Sequence, residues 1–224
     1  MVVGNGPNRF KKEYLAFTNF LGNFGYNEIA MLLTAAYLTL LISGLGEDSL
    51  TDITYSKAGG EELKLDIVMP EKPMKTPIPT VLLIHGGAWI SGKRQDMYPM
   101  AKIIADNGMI AVPVSYRLAP KHKYPSMFDD VQTAVRFLRA NAKKYNIDPV
   151  RIGACGASAG GHLALLTGFT DTYNKKTEEY KEYSSQTCVV FDIFGPTDMT
   201  NEQDYPKTLD PVFAMVVGKP RKDS

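Results

Sequence analysis

Cysteine and histidine are both scarce in this sequence. Its 224 residues include two cysteines and three histidines. Two cysteines exclude a disulfide scaffold, and because Cys155 and Cys188 both lie in apolar runs, we expect both thiols to be buried. The histidines are dispersed along the chain, so the sequence indicates no metal site.

An excess of charge of one sign is lacking as well. The 25 lysines and arginines nearly balance the 24 acidic residues, which leaves a formal net charge of +1. The basic residues are scattered rather than clustered, so nothing in the sequence supports a nucleic-acid-binding surface. With 44% hydrophobic and 22% charged residues, the composition is typical of an ordinary globular domain with a sizeable core.

Charge is absent altogether from residues 29–46. This apolar stretch is long enough for a marginal membrane span, and it also resembles the core of a signal peptide that ends in small residues at Gly44 and Gly46. We therefore expect residues 1–46 to export or anchor the protein, which would be secreted or periplasmic, or held at a membrane through residues 29–46. The alternative is a buried amphipathic helix packed on the domain of a cytoplasmic protein.

Residues 47–224 alternate between strand-like and helix-like patterns. Period-two alternation on both sides of Gly59 and Gly60 predicts a hairpin, and continuous apolar runs predict strands that are buried on both faces. Strands that alternate with helices indicate an α/β fold with a mainly parallel sheet flanked by helices. Pro113 falls inside one run, so its nitrogen should face a place where no ladder hydrogen bond is needed. The expected strands are 52–56, 63–68, 80–84, 109–114, 151–155 and 188–194, and the expected helices are 97–107, 129–144 and the segment after Ser158.

A Gly-x-Ser-x-Gly motif surrounds Ser158. An apolar strand pattern precedes the motif and an apolar helix pattern follows it. This is the context of a nucleophile elbow, a strained turn that exposes a serine hydroxyl over the end of a sheet. The helix N-terminus behind the serine favours the negative charge that develops during acyl transfer. We interpret Ser158 as a catalytic nucleophile, and a tight structural turn is the alternative.

A second glycine-bearing turn, His-Gly-Gly-Ala-Trp, follows the strand at residues 80–84. The carboxyl ends of parallel strands meet at one edge of a sheet, so both turns should lie at that edge. Backbone amides in such turns can stabilise a developing oxyanion. We expect His85 and Gly86 to support this loop, and Trp89 either to wall an acyl pocket or to belong to the core. The expected oxyanion donors are the amides of Gly87, Ala88 and Ala159.

With several other segments, these motifs resemble the hormone-sensitive-lipase-like and feruloyl/acetylxylan-esterase-like branch of the α/β-hydrolase superfamily. The resemblance runs from about residue 50 to the end of the sequence. It implies a cofactor-free serine esterase that acts on short acyl esters, including acetyl or feruloyl esters of plant polysaccharide. The matching segments are Leu63-Lys64-Leu65-Asp66, His85-Gly86-Gly87-Ala88-Trp89, Gly92-Lys93, Tyr116-Arg117-Leu118-Ala119-Pro120, Tyr124-Pro125, Asp129-Asp130, Asp148-Pro149-Val150-Arg151-Ile152, Gly156-Ala157-Ser158-Ala159-Gly160-Gly161 and Gly195-Pro196-Thr197-Asp198.

The same resemblance implies a catalytic acid and a catalytic histidine on strands that follow the elbow. Only one strand, at 188–194, is predicted after Ser158. We expect His162, one helical turn beyond the serine, to point away from the hydroxyl, and His122 to lie at the surface or on the substrate side. Asp198 matches a structural acid of the family rather than the acid of the triad. The sequence therefore shows no general base and no orienting acid, as in an α/β-hydrolase fold that lacks its last strands.

Two functions are compatible with this pattern. The first is a carboxylesterase-type sequence cut short, with a cleft for a small ester and impaired activity. The second is a non-catalytic α/β-hydrolase-like protein that binds a ligand or a partner, and a histidine from another subunit is a third route. In each case the strand at 188–194 becomes a sheet edge, and its apolar faces and unpaired backbone groups predict self-association.

Overall fold

The computed structural model describes residues 49–72, 76–170, 179–199 and 207–219. Within these ranges the chain forms six strands and four α-helices. The strands are β1 (Leu50–Ala58), β2 (Glu61–Ile67), β3 (Ile78–Ile84), β4 (Ile110–Val114), β5 (Ile147–Ala157) and β6 (Val190–Ile193). The helices are α1 (Tyr98–Asp106), α2 (Ser126–Ala140), α3 (Ala159–Phe169) and α4 (Asp210–Val217).

The strands form one mixed sheet in the order β1-β2-β4-β3-β5-β6. β1 and β2 form an antiparallel hairpin whose turn contains Gly59 and Gly60, both with positive φ. β2 pairs with β4 in antiparallel orientation, whereas β3, β4, β5 and β6 run parallel. The predicted hairpin and mainly parallel sheet are therefore confirmed. The turns after β3 and β5 both leave the sheet at its carboxyl edge.

Helices cover both faces of the sheet. Successive residues of β3 point to opposite faces: Leu82 belongs to the core cluster that contains the buried residues of α2 and α3, and Leu83 packs with Ala101 of α1 and with Cys155. Leu82 and Leu83 are completely buried. This cover on both faces explains why β3 reads as a continuous apolar run. The helix predicted at 129–144 instead covers Ser126–Ala140.

Pro113 lies inside β4, between β2 and β3. On the β2 side, the amides of Ala111 and Ser115 donate to the carbonyl oxygens of Val68 (3.1 Å) and Lys64 (2.9 Å). Every second amide of a strand faces the same neighbour, so the nitrogen of Pro113 faces β2 midway between these two bonds. Because proline has no amide hydrogen, β4 donates no bond to β2 at this position, and the expectation that none is needed there stays a prediction.

The last strand is shorter than predicted. β6 covers only Val190–Ile193, although the amide of Cys188 still donates to the carbonyl oxygen of Ile152 (2.9 Å). Cys155 is buried as predicted, but Cys188 is exposed, so the expectation of two buried thiols was wrong for Cys188. The physical reason is its place at the edge of the sheet, where β5 covers one side and no described strand covers the other.

Residues 1–48 lie outside the described part of the chain. The expectation that residues 1–46 export or anchor the protein therefore stays a prediction, as does the packed-helix alternative. Among the residues that are described, none of the helices is long and apolar enough to span a membrane.

Candidate active site

The turn after β5 holds Ser158 in a strained backbone conformation. Its φ of 53° and ψ of −119° lie in a region that non-glycine residues rarely adopt. Two backbone hydrogen bonds brace the turn: the Ser158 amide donates to the Ile193 carbonyl of β6 (2.8 Å), and the His162 amide donates to the Ser158 carbonyl (3.1 Å). Ser158 itself is exposed. A braced, strained turn with an exposed serine at the carboxyl edge of the sheet has the geometry of a nucleophile elbow.

The elbow packs directly against the end of β3 at Gly160. A Cβ atom at this position would lie 2.1 Å from the carbonyl oxygen of Ile84 and 2.6 Å from that of His85. Because no side chain fits into this space, only glycine allows α3 to approach β3 so closely. The contact brings the two glycine-bearing turns together, as expected from the sequence.

The loop after β3 passes through three consecutive residues with positive φ. These are Gly87 (111°), Ala88 (49°) and Trp89 (59°). The amides of Ile90 and Ser91 both donate to the Gly87 carbonyl at 3.0 Å, and a Cβ atom at Gly87 would lie only 2.2 Å from the Ser91 carbonyl oxygen. Within the described residues, the amides of Gly87 and Ala88 donate to no carbonyl group, so they are available to a ligand.

Ala159 supplies a third amide at the same edge of the sheet. It is the first residue of α3, where backbone amides have no acceptor inside the helix, and it donates to none of the described carbonyl groups. The loop after β3 reaches Ser158 itself, since a Cβ atom at Gly86 would lie 3.4 Å from the Cβ atom of Ser158. An exposed serine and amides without acceptors therefore lie in neighbouring turns, which is what acyl transfer needs.

His85 is buried at the end of β3. Its Nδ1 lies 2.7 Å from the Gly86 carbonyl oxygen, and because a carbonyl oxygen only accepts, Nδ1 carries the proton and donates. The ring stacks on Tyr116 with centroids 4.3 Å apart and planes 12° apart. Burial lowers the pKa of His85 below its usual value. This geometry favours a supporting role in the loop over a role as general base.

Tyr116 is a supporting residue to which sequence reasoning assigned no role. Its hydroxyl donates to the His85 carbonyl oxygen (2.9 Å), and burial raises its pKa well above the ordinary value. The next residue, Arg117, holds this segment on α2 through Asp130, with its amide 2.8 Å from Oδ2 and its Nη2 2.7 Å from Oδ1. The motif Tyr-Arg-Leu-Ala-Pro and the pair Asp129-Asp130 were the sequence signals for these contacts.

Besides Asp130, a second buried carboxylate, that of Asp66, holds the segment that follows the loop after β3. Asp66 of β2 is completely buried and accepts three hydrogen bonds, all of 2.8 Å, from the Asp52 amide, the Arg94 Nε and the Tyr98 hydroxyl. Arg94 also donates to the Asp52 carboxylate through Nη2 (2.6 Å). These bonds tie the β1–β2 hairpin to the segment that follows Trp89. Sequence reasoning missed this network as well.

Among the described residues, the rings of the other two histidines make no hydrogen bond to Ser158. The Nε2 of His122 lies 3.5 Å from Oε1 of Glu61 at the β1–β2 hairpin. His162 packs edge-on against Trp89, with centroids 5.4 Å apart and planes 86° apart, and burial lowers its pKa to about 4. Within the described residues, the Ser158 hydroxyl has no hydrogen-bond partner. The structure thus brings the serine and the amides together but brings no histidine to them.

Comparison with known proteins agrees with this geometry. A family model described as BD-FAE matches residues 65–224. The probable carboxylic ester hydrolase LipM of Mycobacterium tuberculosis is 32% identical over 174 residues, which is 76% of this chain and 40% of LipM. Arylacetamide deacetylase of Oryctolagus cuniculus is 33% identical over 120 residues, which is 50% of this chain and 30% of that protein. The chain therefore spans less than half the length of these curated relatives.

Solved structures of esterases share the fold. A truncated carbohydrate esterase from gut microbiota has a TM-score of 0.71 at 28% identity, covering 80% of this chain and 69% of that chain. The bifunctional GH43-CE protein of Bacteroides eggerthii has a TM-score of 0.70 at 32% identity, covering 79% of this chain and 27% of that chain. The esterase Est2 of Thermogutta terrifontis, solved with propionate bound, has a TM-score of 0.63 at 26% identity, covering 77% of this chain and 64% of that chain.

The mainly parallel sheet, the elbow and these relatives define an α/β-hydrolase of the carboxylesterase type. More narrowly, the chain belongs to the BD-FAE family, since the family model matches more than half of its length. The resemblance inferred from the sequence motifs is confirmed.

Proposed function

We propose that this protein is a serine carboxylic-ester hydrolase in which Ser158 is the nucleophile. The observation that carries the proposal is the strained, exposed Ser158 beside amides that lack an acceptor. Ser158 Oγ attacks the ester carbonyl carbon and passes its proton to solvent water, and the resulting oxyanion accepts hydrogen bonds from the amides. Collapse of this intermediate breaks the bond to the alcohol oxygen, which takes a proton from water, and leaves the acyl group on Oγ. Water then releases the acid and restores the serine. The proposed donors are Gly87, Ala88 and Ala159.

Short acyl esters are the proposed substrates, with acetyl and feruloyl esters of carbohydrate as the specific candidates. Two structural relatives support this choice. One is named a carbohydrate esterase, and Est2 was solved with propionate and with butyrate bound. The reaction as proposed needs no cofactor, because the nucleophile and the oxyanion donors are all supplied by the chain.

We also propose that turnover by the 224-residue chain alone is slow, because the rings of His122 and His162 make no hydrogen bond to Ser158 and the ring of His85 is engaged with Gly86. Without a working triad, the oxyanion hole and substrate binding still supply roughly 10³- to 10⁴-fold acceleration over water. The same placement of the histidines favours a second candidate, a non-catalytic protein that uses the cleft to bind a ligand or a partner.

Hydrolysis of p-nitrophenyl acetate and labelling by a fluorophosphonate test the proposal on the purified chain. We expect slow hydrolysis and covalent labelling at Ser158, and we expect Ser158→Ala to abolish both. Ser184→Ala is the matched control, because Ser184 is exposed but lies in the connection before β6. If the chain shows no labelling and no turnover, that result would support the binding role. Fast turnover that Ser158→Ala removes would contradict the proposed impairment.

We further propose that residues 1–46 carry the protein out of the cytoplasm, as a cleaved signal segment or as an anchor. The charge-free run at residues 29–46 supports this proposal. Mass spectrometry of the N-terminus after expression in the source organism tests it. An uncleaved N-terminus in the soluble cytoplasmic fraction would contradict it.

A further inference from the structure

A small apolar pocket, here called the Trp89 pocket, lies beside the elbow. Trp89 belongs to the loop that contains the proposed oxyanion donors, and His162 lies one turn along α3 from Ser158. The pocket has a volume of about 220 Å³, which is below the usual range for a whole drug-sized ligand, so it suits one compact group. Its lining includes two side chains with polar atoms, Tyr124 and His162, and the largely apolar side chains of Trp89, Leu166, Phe213 and Val216.

His162 offers this pocket a polar atom that lacks a partner. Its Nδ1 is enclosed by protein and has no hydrogen-bond partner among the described residues. Its Nε2 makes no hydrogen bond to them either, and unlike Nδ1 it is not among the fully enclosed unpaired atoms, so it is the ring nitrogen that a ligand can reach. The edge-on contact with Trp89 holds the ring in the pocket wall. Burial lowers the pKa of His162 to about 4, so the ring is neutral at pH 7.

We propose that the Trp89 pocket binds a compact, uncharged, largely apolar group that carries one hydrogen-bonding oxygen, and that Nε2 of His162 bonds this oxygen. The apolar walls favour burial of the ring or alkyl part of such a group. A polar atom that stays unpaired in an apolar site is costly, so a ligand that satisfies Nε2 is preferred over an apolar ligand of the same shape.

The lining also sets the charge of the group. No charged side chain lines the pocket within the described residues, and His162 is neutral at pH 7. A carboxylate or an ammonium group would lose its hydration without gaining an ion pair, so phenol-like and alcohol-like groups fit and charged groups do not. That this group is part of the ester substrate rests on the proposed function, whereas the binding itself does not.

Trp89 makes the binding measurable without catalysis, because it is the only tryptophan in the sequence. The full-length chain is titrated with phenol and with toluene, two probes of nearly the same shape, while the fluorescence of Trp89 is excited at the red edge of its absorption. The titrations are repeated with His162→Phe, which keeps an aromatic ring beside Trp89 but removes both nitrogens. We expect the ratio of phenol affinity to toluene affinity to fall roughly 5- to 10-fold in the variant.

His122→Phe is the matched control, because it makes the same substitution at a histidine that lies at the β1–β2 hairpin. The control should leave the ratio unchanged. A second measurement needs no variant: in ¹⁵N spectra of the imidazole rings, phenol should shift Nε2 of His162 and toluene should not. Equal ratios in the wild type and His162→Phe, or no response of Trp89 to either probe, would overturn the proposal.

The proposed function and this inference fail separately. If phenol binds as expected but Ser158 is not labelled by the fluorophosphonate, the pocket proposal holds and the esterase proposal fails. If Ser158 is labelled but the affinity ratio does not depend on His162, the esterase proposal holds and the pocket proposal fails.

Discussion

The ring of Tyr116 stacks on His85, and its hydroxyl donates to the His85 carbonyl oxygen at 2.9 Å. His85 in turn donates to the Gly86 carbonyl at 2.7 Å. These contacts clamp the end of β3 at the point where the loop with the Gly87 and Ala88 amides begins. Tyr116 is therefore a positioning residue that acts on the loop through His85.

Tyr116→Phe keeps the stacked ring but removes its hydrogen bond. We expect a loss of about 1 kcal/mol in the free energy of unfolding and slower fluorophosphonate labelling of Ser158, since the loop is less firmly held. Tyr116→Ala also removes the ring and should cost about 3–5 kcal/mol. Urea unfolding and labelling rates measure both effects. If Tyr116→Phe labels at the wild-type rate, the hydroxyl does not position the loop.

Gly160→Ala tests the contact between the elbow and β3. The new Cβ atom would lie 2.1 Å from the Ile84 carbonyl oxygen, so backbone must move, and we expect a loss of at least about 3 kcal/mol in unfolding free energy. Gly60→Ala is the control, because nothing lies within 4 Å of a Cβ atom there and only its φ of 79° opposes the change, at about 1 kcal/mol. Equal unfolding midpoints for the two variants would refute the close approach.

Asp66→Asn tests the network behind the loop. Asp66 is completely buried and accepts from Arg94, so the neutral side chain removes the buried negative charge that compensates this guanidinium, and we expect a loss of about 3–5 kcal/mol in unfolding free energy. Asp52→Asn removes the exposed end of the same network, where the carboxylate contacts Arg94 in solvent, and should cost less than about 1 kcal/mol. Unfolding of both variants in guanidinium chloride measures the two losses of unfolding free energy. Similar losses would contradict the predicted difference.

Acid should weaken the fold through His162. Its pKa falls to about 4 in the folded protein because the ring is buried, against an ordinary value of 6.5. Between these values the unfolded chain binds a proton at this ring that the folded chain does not, so stability is lost as the pH falls from 6.5 to 4, by no more than about 3 kcal/mol. Unfolding of the wild type and of His162→Phe at pH 7 and near pH 4 measures how much of the loss of stability is due to His162. An identical pH dependence would show that His162 does not contribute.

We propose that the edge strand β6 causes self-association. Phe191 is 60% exposed and Phe194 is 94% exposed, and within the described residues no strand pairs with the outer edge of β6. Sedimentation velocity should show concentration-dependent association that Phe191→Lys weakens. Val150→Lys is the control, because Val150 is 74% exposed but belongs to β5 rather than to the edge. A sharp monomer at all concentrations would contradict the proposal.

The parts of the site that could be predicted are those that short stretches of sequence encode. The continuous apolar run of β3 requires cover on both faces, and the glycines around Ser158 and at Gly87 mark turns that exclude a Cβ atom. These signals predicted that Ser158 and the proposed oxyanion donors lie at one edge of the sheet.

The supporting contacts could not be predicted in this way. Asp66 meets Arg94 across 28 residues and Tyr116 meets His85 across 31 residues, so no local pattern pairs them. The exposure of Cys188 also escaped prediction, because an apolar run carries no sign of whether a further strand covers it. Burial of the two faces depends on elements far away in the chain.

By itself, the sequence determined the α/β class, the elbow and the two turns, because backbone strain and steric exclusion act over a few residues. Only the tertiary structure decided which carboxylate holds which arginine, that Nδ1 of His85 donates to the Gly86 carbonyl, and that the ring of His162 packs against Trp89. Hydrogen bonds and ring contacts are made by whichever groups the packed sheet and helices bring within about 3–6 Å, and that choice exists only after folding.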